Sequence, residues 1–140
     1  MKYLGSNCEF EQERNLDLLH ACRQEMALAT HIHMRDIYRR AAERPARRFW
    51  VSEERAAIVI GRMLRGDSLQ EMRPLKREMF QEIFRRAKEI LNRHPGFNIS
   101  HVALLVVHQP APKFYLTPGS VKTILHRFRQ KRRHPKKPSP

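Results

Sequence analysis

The chain has few of the residues that build a disulfide framework or a membrane span. Its 140 residues include two cysteines, Cys8 and Cys22, which are too few for such a framework and indicate free thiols. No apolar run approaches the ~18 residues that a membrane span needs. The N-terminal stretch carries Glu9, Glu11 and Glu13 and lacks the order of a signal peptide. These absences predict a protein that stays in the cytoplasm and out of the membrane.

Motifs for catalysis and for cofactor binding are missing as well. The sequence has no glycine-rich phosphate loop and no nucleophile motif, so we predict neither an enzyme nor a bound cofactor. His20, Cys22, His31 and His33 lack the paired spacing of zinc ligands. Residues two apart on a helix also point to opposite faces. No metal site is therefore predicted.

One predicted helix carries two glutamates at a spacing that an acid–base catalytic pair could also have. Glu78 and Glu82 lie four residues apart in a predicted helix. Arg77, Arg85 and Arg86 surround them. Opposite charges at this spacing form surface ion pairs far more often than a catalytic pair.

Acidic residues are scarce, and they are unevenly distributed. The chain has 28 Lys and Arg residues against 14 Asp and Glu residues, a formal net charge of +14. Residues 1–66 contain 12 basic and 9 acidic residues, whereas residues 67–140 contain 16 and 5, and no acidic residue follows Glu89. A field this strong and one-sided favours a polyanion as partner. The alternative is a solvated surface with a basic tail, although charges of both signs would serve solubility equally well.

Apolar residues recur at helical spacing along most of the chain, and alternating strand patterns of useful length are absent. The sequence therefore predicts an all-α fold of about six helices. The first helix is expected to bury Leu16, Leu19, Cys22 and Met26, and the last to bury Val121, Ile124, Leu125 and Phe128. The predicted helices cover about residues 10–28, 31–43, 52–66, 74–93, 100–107 and 117–133. Ser52, Ser100 and Thr117 are the predicted N-terminal caps of the third, fifth and sixth helices, and Ser68 and Glu71 are predicted to form a capping box before the fourth.

One segment of the chain occurs twice. Residues 45–62, PARRFWVSEERAAIVIGR, align without a gap with residues 110–127, PAPKFYLTPGSVKTILHR. Four positions are identical: Pro45/Pro110, Ala46/Ala111, Phe49/Phe114 and Arg62/Arg127. Seven further pairs keep their chemical class: Arg48/Lys113, Trp50/Tyr115, Val51/Leu116, Ser52/Thr117, Ala56/Val121, Val59/Ile124 and Ile60/Leu125.

Each half of the chain has the same order of elements: a long helix, a short helix, a loop that begins Pro-Ala, and a capped helix. This order predicts two tandem helix-turn-helix-like three-helix units, residues 1–66 and 67–133, which either share one core or stand apart. Residues 134–140 are predicted to form a disordered basic tail. The loop of about seven residues is longer than the usual helix-turn-helix turn, so the angle between the helices stays open.

The repeated segment predicts a nucleic-acid interface because cations precede a helix N-terminus, where backbone N–H groups favour phosphate. Glu53 and Glu54 would repel phosphates from the first copy, so contact is assigned chiefly to the second. Trp50 and Tyr115 are interpreted as half-buried rim residues, with stacking on a base as the alternative. The predicted contact residues are Arg47, Arg48, Arg55, Arg62, Lys113, Tyr115, Thr117, Ser120, Lys122, Thr123, His126, Arg127, Arg129, Lys131, Arg132 and Arg133.

The repeated pattern PA-x-[RK]-F-[WY]-[VL]-[ST], with PLKREMFQEIFRR between its copies, also carries a resemblance. It resembles a group of small uncharacterised basic helix-turn-helix-like proteins of Bacteroides-type bacteria and their mobile elements. The resemblance covers nearly the whole chain. It implies a phage or mobile-element setting and assigns no functional residue.

The leading hypothesis is a non-enzymatic DNA-binding protein, such as a regulator or a packaging factor of a phage or mobile element. Duplex DNA is the favoured partner, and RNA is the second choice, bound as an accessory subunit of a nucleoprotein complex. A protein–protein assembly module is the alternative from another class. In that case Glu53 and Glu54 would pair with the basic second segment of a neighbouring copy.

Overall fold

The computed structural model describes the backbone of residues 4–133 and the side chains of residues 10–132. This part of the chain is all-helical, as predicted. Its only strand-like feature is an isolated bridge between two loops. The predicted tail, residues 134–140, lies outside the described residues. The helices are α1 (Leu4–Leu28), α2 (Met34–Glu43), α3 (Glu53–Leu64), α4 (Pro74–Arg93), α5 (Ile99–Val107) and α6 (Pro118–Arg133).

The predicted caps of α3 and α6 are confirmed. Ser52 Oγ accepts a hydrogen bond from the Arg55 backbone N–H at 3.0 Å, which satisfies an amide that the helix leaves unpaired. Thr117 Oγ1 accepts from the Ser120 N–H at 3.1 Å in the same way. Pro118 occupies the first turn of α6, where its missing N–H costs nothing.

Three local predictions are wrong. Leu16 is 46% exposed, because the buried face of α1 is centred on Leu18 and Cys22, about half a helical turn away. The side chain that caps α5 is Asn98, whose Oδ1 accepts from the His101 N–H at 2.8 Å, whereas Ser100 had been expected. The first helix begins at Leu4, and not near residue 10.

The segment before α4 also differs from its prediction, which placed a capping box between Ser68 and Glu71. Leu69 has φ 58°, a left-handed conformation that interrupts any helix there. Arg73 is extended because it precedes Pro74, so α4 starts at the proline. Leu69 is fully buried, and its packing holds the unusual backbone in place.

Across α1 to α6, the packing gives two units that do not follow the order of the repeats. One unit contains residues up to Arg44 and from Leu116 onward, in which α1, α2 and α6 pack together. The other unit is Pro45–Tyr115, in which α3, α4 and α5 pack together. The third helix of each repeat therefore packs with the first two helices of the other repeat.

This exchange differs from the predicted division into residues 1–66 and 67–133. The tandem helix-turn-helix arrangement is not confirmed, because the second and third helices of each repeat belong to different units. Helical periodicity shows that α3 and α6 each bury a face. It does not show which helices cover that face, because both repeats offer equivalent apolar partners.

The loops that begin Pro-Ala are paired within the second unit. Ala46 and Ala111 each donate the backbone N–H to the other's carbonyl at 3.0 Å. These two alanines occupy the same position in the two copies of the repeated segment. Each alanine uses the same donor and the same acceptor, so the two copies of the loop are related by a local two-fold axis at this point.

Arg86 of α4 links the two loops. Its guanidinium donates to the Pro110 carbonyl at 2.9 Å and to Gln109 Oε1 at 3.1 Å, and it lies 4.9 Å from the centre of the Phe49 ring. Its Nε also donates to Glu82 at 2.7 Å. Phe49 is 1% exposed and stacks on Tyr115 with ring centroids 6.3 Å apart. One cation therefore holds a backbone group of the second loop and the anchoring ring of the first.

Replacing Arg86 by Met keeps most of the side-chain volume but removes the hydrogen-bond donors. Bonds to charged groups are worth ~1.5–3 kcal/mol each, so we expect R86M to lower the free energy of unfolding by about 1–3 kcal/mol. Arg93 lies at the end of the same helix, is exposed and forms no ion pair among the described residues, so R93M is the matched control and should change little. Denaturant unfolding followed by circular dichroism measures both variants. Equal losses would contradict the linking role of Arg86.

The carboxylate of Glu82 makes the stability of the second unit dependent on pH. Hydrogen bonds, chiefly from Arg85, lower the pKa of Glu82 to about 2. A carboxyl with a pKa below its unfolded value of about 4.3 stabilises the fold above that pH, and the contribution is lost as pH falls towards about 2. We therefore expect Glu82→Gln to be less stable than the wild type at neutral pH, with the gap closing over this range. Unfolding titrations at several pH values test this, and a constant gap would contradict it.

Candidate nucleic-acid interface

The last helix has one buried face and one polar face. Val121, Leu125 and Phe128 are buried in the unit that α6 shares with α1 and α2, and Ile124 is half-buried. This agrees with the predicted apolar face. The side chains of Ser120, Lys122, Thr123, His126, Arg127, Arg129, Lys131 and Arg132 are all exposed.

The exposed side of α6 is strongly and exclusively basic. Between Pro118 and Arg133 the sequence has six basic residues and no acidic one. The side chain of Arg133 lies outside the described residues. The other five cations form what we call the α6 basic face: Lys122, Arg127, Arg129, Lys131 and Arg132. Within the described part of the chain, no member of this face is ion-paired with a carboxylate.

The spacing of the α6 basic face suits a polyanion. At 1.5 Å per residue, Lys122 and Lys131 lie about 14 Å apart along the helix axis. Duplex DNA carries one phosphate per ~1.7 Å of its axis, so a helix laid along it meets several phosphates over this length. The row Thr123, Arg127 and Lys131 follows a four-residue step and lies along one side of the helix.

The equivalent helix of the first repeat has a different charge pattern. Arg62, which aligns with Arg127, lies 2.7 Å from Asp67 and also binds Glu71. Hydrogen bonds to these carboxylates, first to Asp67, raise the pKa of Arg62. Arg55 is half-buried in the first turn of α3. The cation at this shared position is thus neutralised in α3 and unpaired in α6.

Most predicted contacts from the loops are bound to the protein itself. Arg48 donates to the Phe49 carbonyl at 3.1 Å and to the Val51 carbonyl at 2.9 Å. Lys113 Nζ lies 2.6 Å from Glu78. Arg47 is exposed but also makes contacts within the protein. Arg48 and Lys113 are therefore occupied within the second unit.

The two aromatic residues of the repeated segment are engaged too. Tyr115 stacks on Phe49, and burial raises the pKa of its phenol to about 12. It adopts φ 58°, which its equivalent Trp50 does not share. The Arg48 guanidinium lies 5.3 Å from the centre of the Trp50 ring. Their rings therefore serve the loop structure, in agreement with the interpretation as rim residues.

The polar residues of α6 take different roles. Thr117 caps the helix, and its hydroxyl also donates to Ser120 Oγ at 3.0 Å. The side chains of His126 and Gln130 lie within hydrogen-bond distance, at 3.2 Å. Thr123 is exposed beside Arg127 in the same row. Thr123 and Arg127 are therefore open to solvent on the same side of α6.

Sequence reasoning missed two cations of α2. Arg35 and Arg40 are exposed, and neither pairs with a carboxylate in the part of the chain described here. They enlarge the unpaired positive charge of the unit because α2 packs against α6. Arg39, by contrast, lies near Asp36 and Glu43. Residues 31–43 contain three basic and two acidic residues, and this small excess does not reveal that α2 packs against the basic helix of the other repeat.

The histidines and cysteines considered as metal ligands do not come together. His20, His31 and His33 are exposed, whereas Cys22 is buried. Burial raises the pKa of the Cys22 thiol to about 11. Among the described residues no three side chains of metal-ligating type form a group. Glu78 and Glu82 are each bound to basic side chains, as the ion-pair interpretation expected.

Comparisons with protein-family models, with curated proteins and with solved structures find no match to this chain. The chemistry of the interface therefore has to be inferred from its own residues.

The contrast between Lys122 and Lys113 can be tested with a simple polyanion. Lys122→Ala removes an unpaired cation, so the variant should elute from a heparin column at lower salt than the wild type. Lys113→Ala removes a cation already bound to Glu78 and should shift elution less, even though the net charge falls equally. Equal shifts would mean that only total charge matters. Circular dichroism of both variants checks that the fold is intact.

Proposed function

We propose that this protein is a non-enzymatic DNA-binding protein and that the α6 basic face contacts the phosphate backbone. The observation that carries the proposal is that no cation of this face is paired with a carboxylate of the described residues. Elsewhere Arg44, Arg62, Arg85, Arg86 and Lys113 are bound to carboxylates. A cation that is already paired with a carboxylate must give up this ion pair before it can bind a phosphate. Within the described residues, the cations of α6 have no such ion pair to give up.

Duplex DNA is favoured over RNA by the state of the aromatic residues. Recognition of unpaired bases requires exposed rings on which the bases stack. Tyr115 is packed against Phe49, and a guanidinium lies over Trp50. A helix of ~10–12 Å diameter fits the ~12 Å major groove of B-DNA, whereas the major groove of A-form RNA is too narrow.

The two sides of the polar surface of α6 are suited to different contacts. Thr123 and Arg127 lie in one row along one side of this surface and are proposed to approach base edges. Lys122 and Arg129, seven residues apart, lie together towards one edge and are proposed to contact phosphates. The basic residues that follow α6 would add affinity without selectivity, because cations that contact phosphates carry no sequence information. A role in a phage or mobile element, such as regulation or packaging, is part of the same proposal.

The decisive experiment uses residues that align between the repeats. If about six cations of α6 and the residues after it each neutralise one phosphate, the log–log dependence of affinity on salt should have a slope near −5. Lys122→Ala should reduce the slope by about 1, whereas Arg127→Ala should cost about 1–3 kcal/mol at a specific site. Arg62→Ala is the matched control, because Arg62 already binds Asp67 and Glu71. The affinity of this variant for DNA should stay near that of the wild type.

Fluorescence anisotropy with a selected duplex and a random duplex measures these quantities. Duplex binding that did not respond to salt would exclude the proposal. Equal losses in Arg127→Ala and Arg62→Ala would show that both repeats contact DNA. If unstructured RNA displaced the labelled duplex at a much lower concentration than unlabelled duplex DNA does, RNA would be the preferred partner.

A further inference from the structure

The two units are built from equivalent helices. With residue numbers that differ by 65, α1 ends where α4 ends, α2 begins where α5 begins, and α3 begins where α6 begins. The packing is equivalent as well, because α2 contacts α6 and α1 in the first unit as α5 contacts α3 and α4 in the second. A contact between α5 and α3 therefore indicates how the aligned positions of α2 and α6 are placed.

The second unit shows which sides of these helices face each other. His108 Nε2 lies 2.6 Å from Glu53 Oε1, which joins the end of α5 to the start of α3. At the other end, Ile99 Cδ1 lies 4.0 Å from the position that a Cβ on Gly61 would take. The two helices therefore lie side by side in opposite directions, and the row Glu53, Ala57 and Gly61 faces α5.

One edge of the α6 basic face adjoins α2. The row of α6 that aligns with the row facing α5 is Pro118, Lys122 and His126. Lys122 is exposed, so it lies at the border between this row and solvent. Arg129 follows seven residues later and lies at the same edge. These are the two cations of α6 that are proposed to contact phosphates.

Arg35 lies on the side of α2 that faces α6. Glu43 aligns with His108, the residue of α5 that contacts α3. Arg35, Arg39 and Glu43 are spaced four residues apart and form one row along this side. Arg39 is engaged, because it lies 3.8 Å from Asp36 and 3.7 Å from Glu43. Arg35 is exposed and has no carboxylate partner among the described residues.

The position of Arg35 along α6 follows from the same equivalence. The start of α5 is level with Gly61, so the start of α2 is level with the aligned residue, His126. Lys122 lies one turn before His126, and Arg129 lies about one turn after it. Arg35, in the first turn of α2, therefore falls between these two cations along the helix axis.

Arg40 lies on a different side of α2. It is one turn before Arg44, which is bound to Glu25 of α1. Arg35 precedes Arg40 by five residues and is about 140° away around the helix. Both arginines are exposed, and neither is paired with a carboxylate in the part of the chain that the structure describes. They differ in the neighbour that they face.

The equivalent edge of the second unit has no cation. The aligned pairs are Arg35/Ser100, Lys122/Ala57 and Arg129/Leu64. Ser100 is exposed, and Leu64 is 45% exposed. The second unit thus presents polar or apolar side chains at positions where the first unit presents charge.

We propose that the DNA-contact surface is assembled from both repeats, with Arg35 of α2 binding a phosphate beside Lys122 and Arg129 of α6. This inference rests on the proposed function of the α6 basic face. Packed helices have axes about 8–10 Å apart. When α6 lies in a major groove ~12 Å wide, a helix at that distance lies over the phosphate backbone at the edge of the groove. The exchange of third helices brings the cations of the two repeats together.

Arg35→Ala tests this assembly in the full-length protein. Fluorescence anisotropy with the selected and the random duplex should show a salt slope reduced by about 1 and an affinity about fivefold lower at ~0.15 M salt. Both duplexes should be affected alike, because a phosphate contact carries no sequence information. The double variant R35A/K122A should reduce the slope by about 2.

Two further variants separate position from total charge and from folding. Arg40→Ala removes the same charge on the side of α2 towards α1, so its slope should stay near that of the wild type. Arg35→Lys keeps the charge and should retain the slope, and circular dichroism checks that each variant is folded. An unchanged slope in Arg35→Ala, or an equal change in Arg40→Ala, would overturn the proposal.

The same titrations distinguish this inference from the proposed function on which it rests. If Lys122→Ala lowers the slope and Arg35→Ala does not, the extension to α2 is wrong and the role of the α6 basic face stands. Binding by the wild type that does not depend on salt would exclude both.

Discussion

Two backbone hydrogen bonds between Ala46 and Ala111 join the two copies of the repeated loop, from which the third helix of each repeat departs. Each loop follows the second helix of its repeat and leads to the third. The third helix then packs with the first two helices of the other repeat. Arg86 reinforces the junction by binding Pro110 while its guanidinium lies over Phe49. The backbone hydrogen bonds and the half-buried Arg86 thus hold the two copies of the loop together.

The duplication conserves what is buried and changes what is exposed. Phe49 and Phe114 are both buried, as are Ala56 and its equivalent Val121. Packing in a close-packed interior tolerates little variation in volume, so the positions that fill the two cores keep their chemical class. Exposed positions have no such constraint. One three-helix arrangement can therefore present cations in one unit and apolar side chains in the other.

A net charge of +14 does not by itself show which cations can bind a polyanion. A cation bound to a carboxylate, such as Arg62 or Lys113, has much of its field cancelled locally. The cations of α6 have no such neighbour in the described residues, and α2 adds Arg35 and Arg40 to the same unit. Local pairing therefore decides which of the cations carry a field that is not cancelled by a neighbouring carboxylate.

The sequence by itself determined the helices, the caps Ser52 and Thr117, and the apolar face of α6, because each depends on neighbours within a few residues. It also identified most exposed cations of α6, since the apolar stripe leaves them only the outer face. Only the tertiary structure decided that Arg62 and Lys113 are occupied, because their partners lie in another loop or on another helix. It also decided that each third helix packs with the opposite repeat. Both repeats offer equivalent apolar faces, and periodicity carries no information on which of two similar partners a helix will choose.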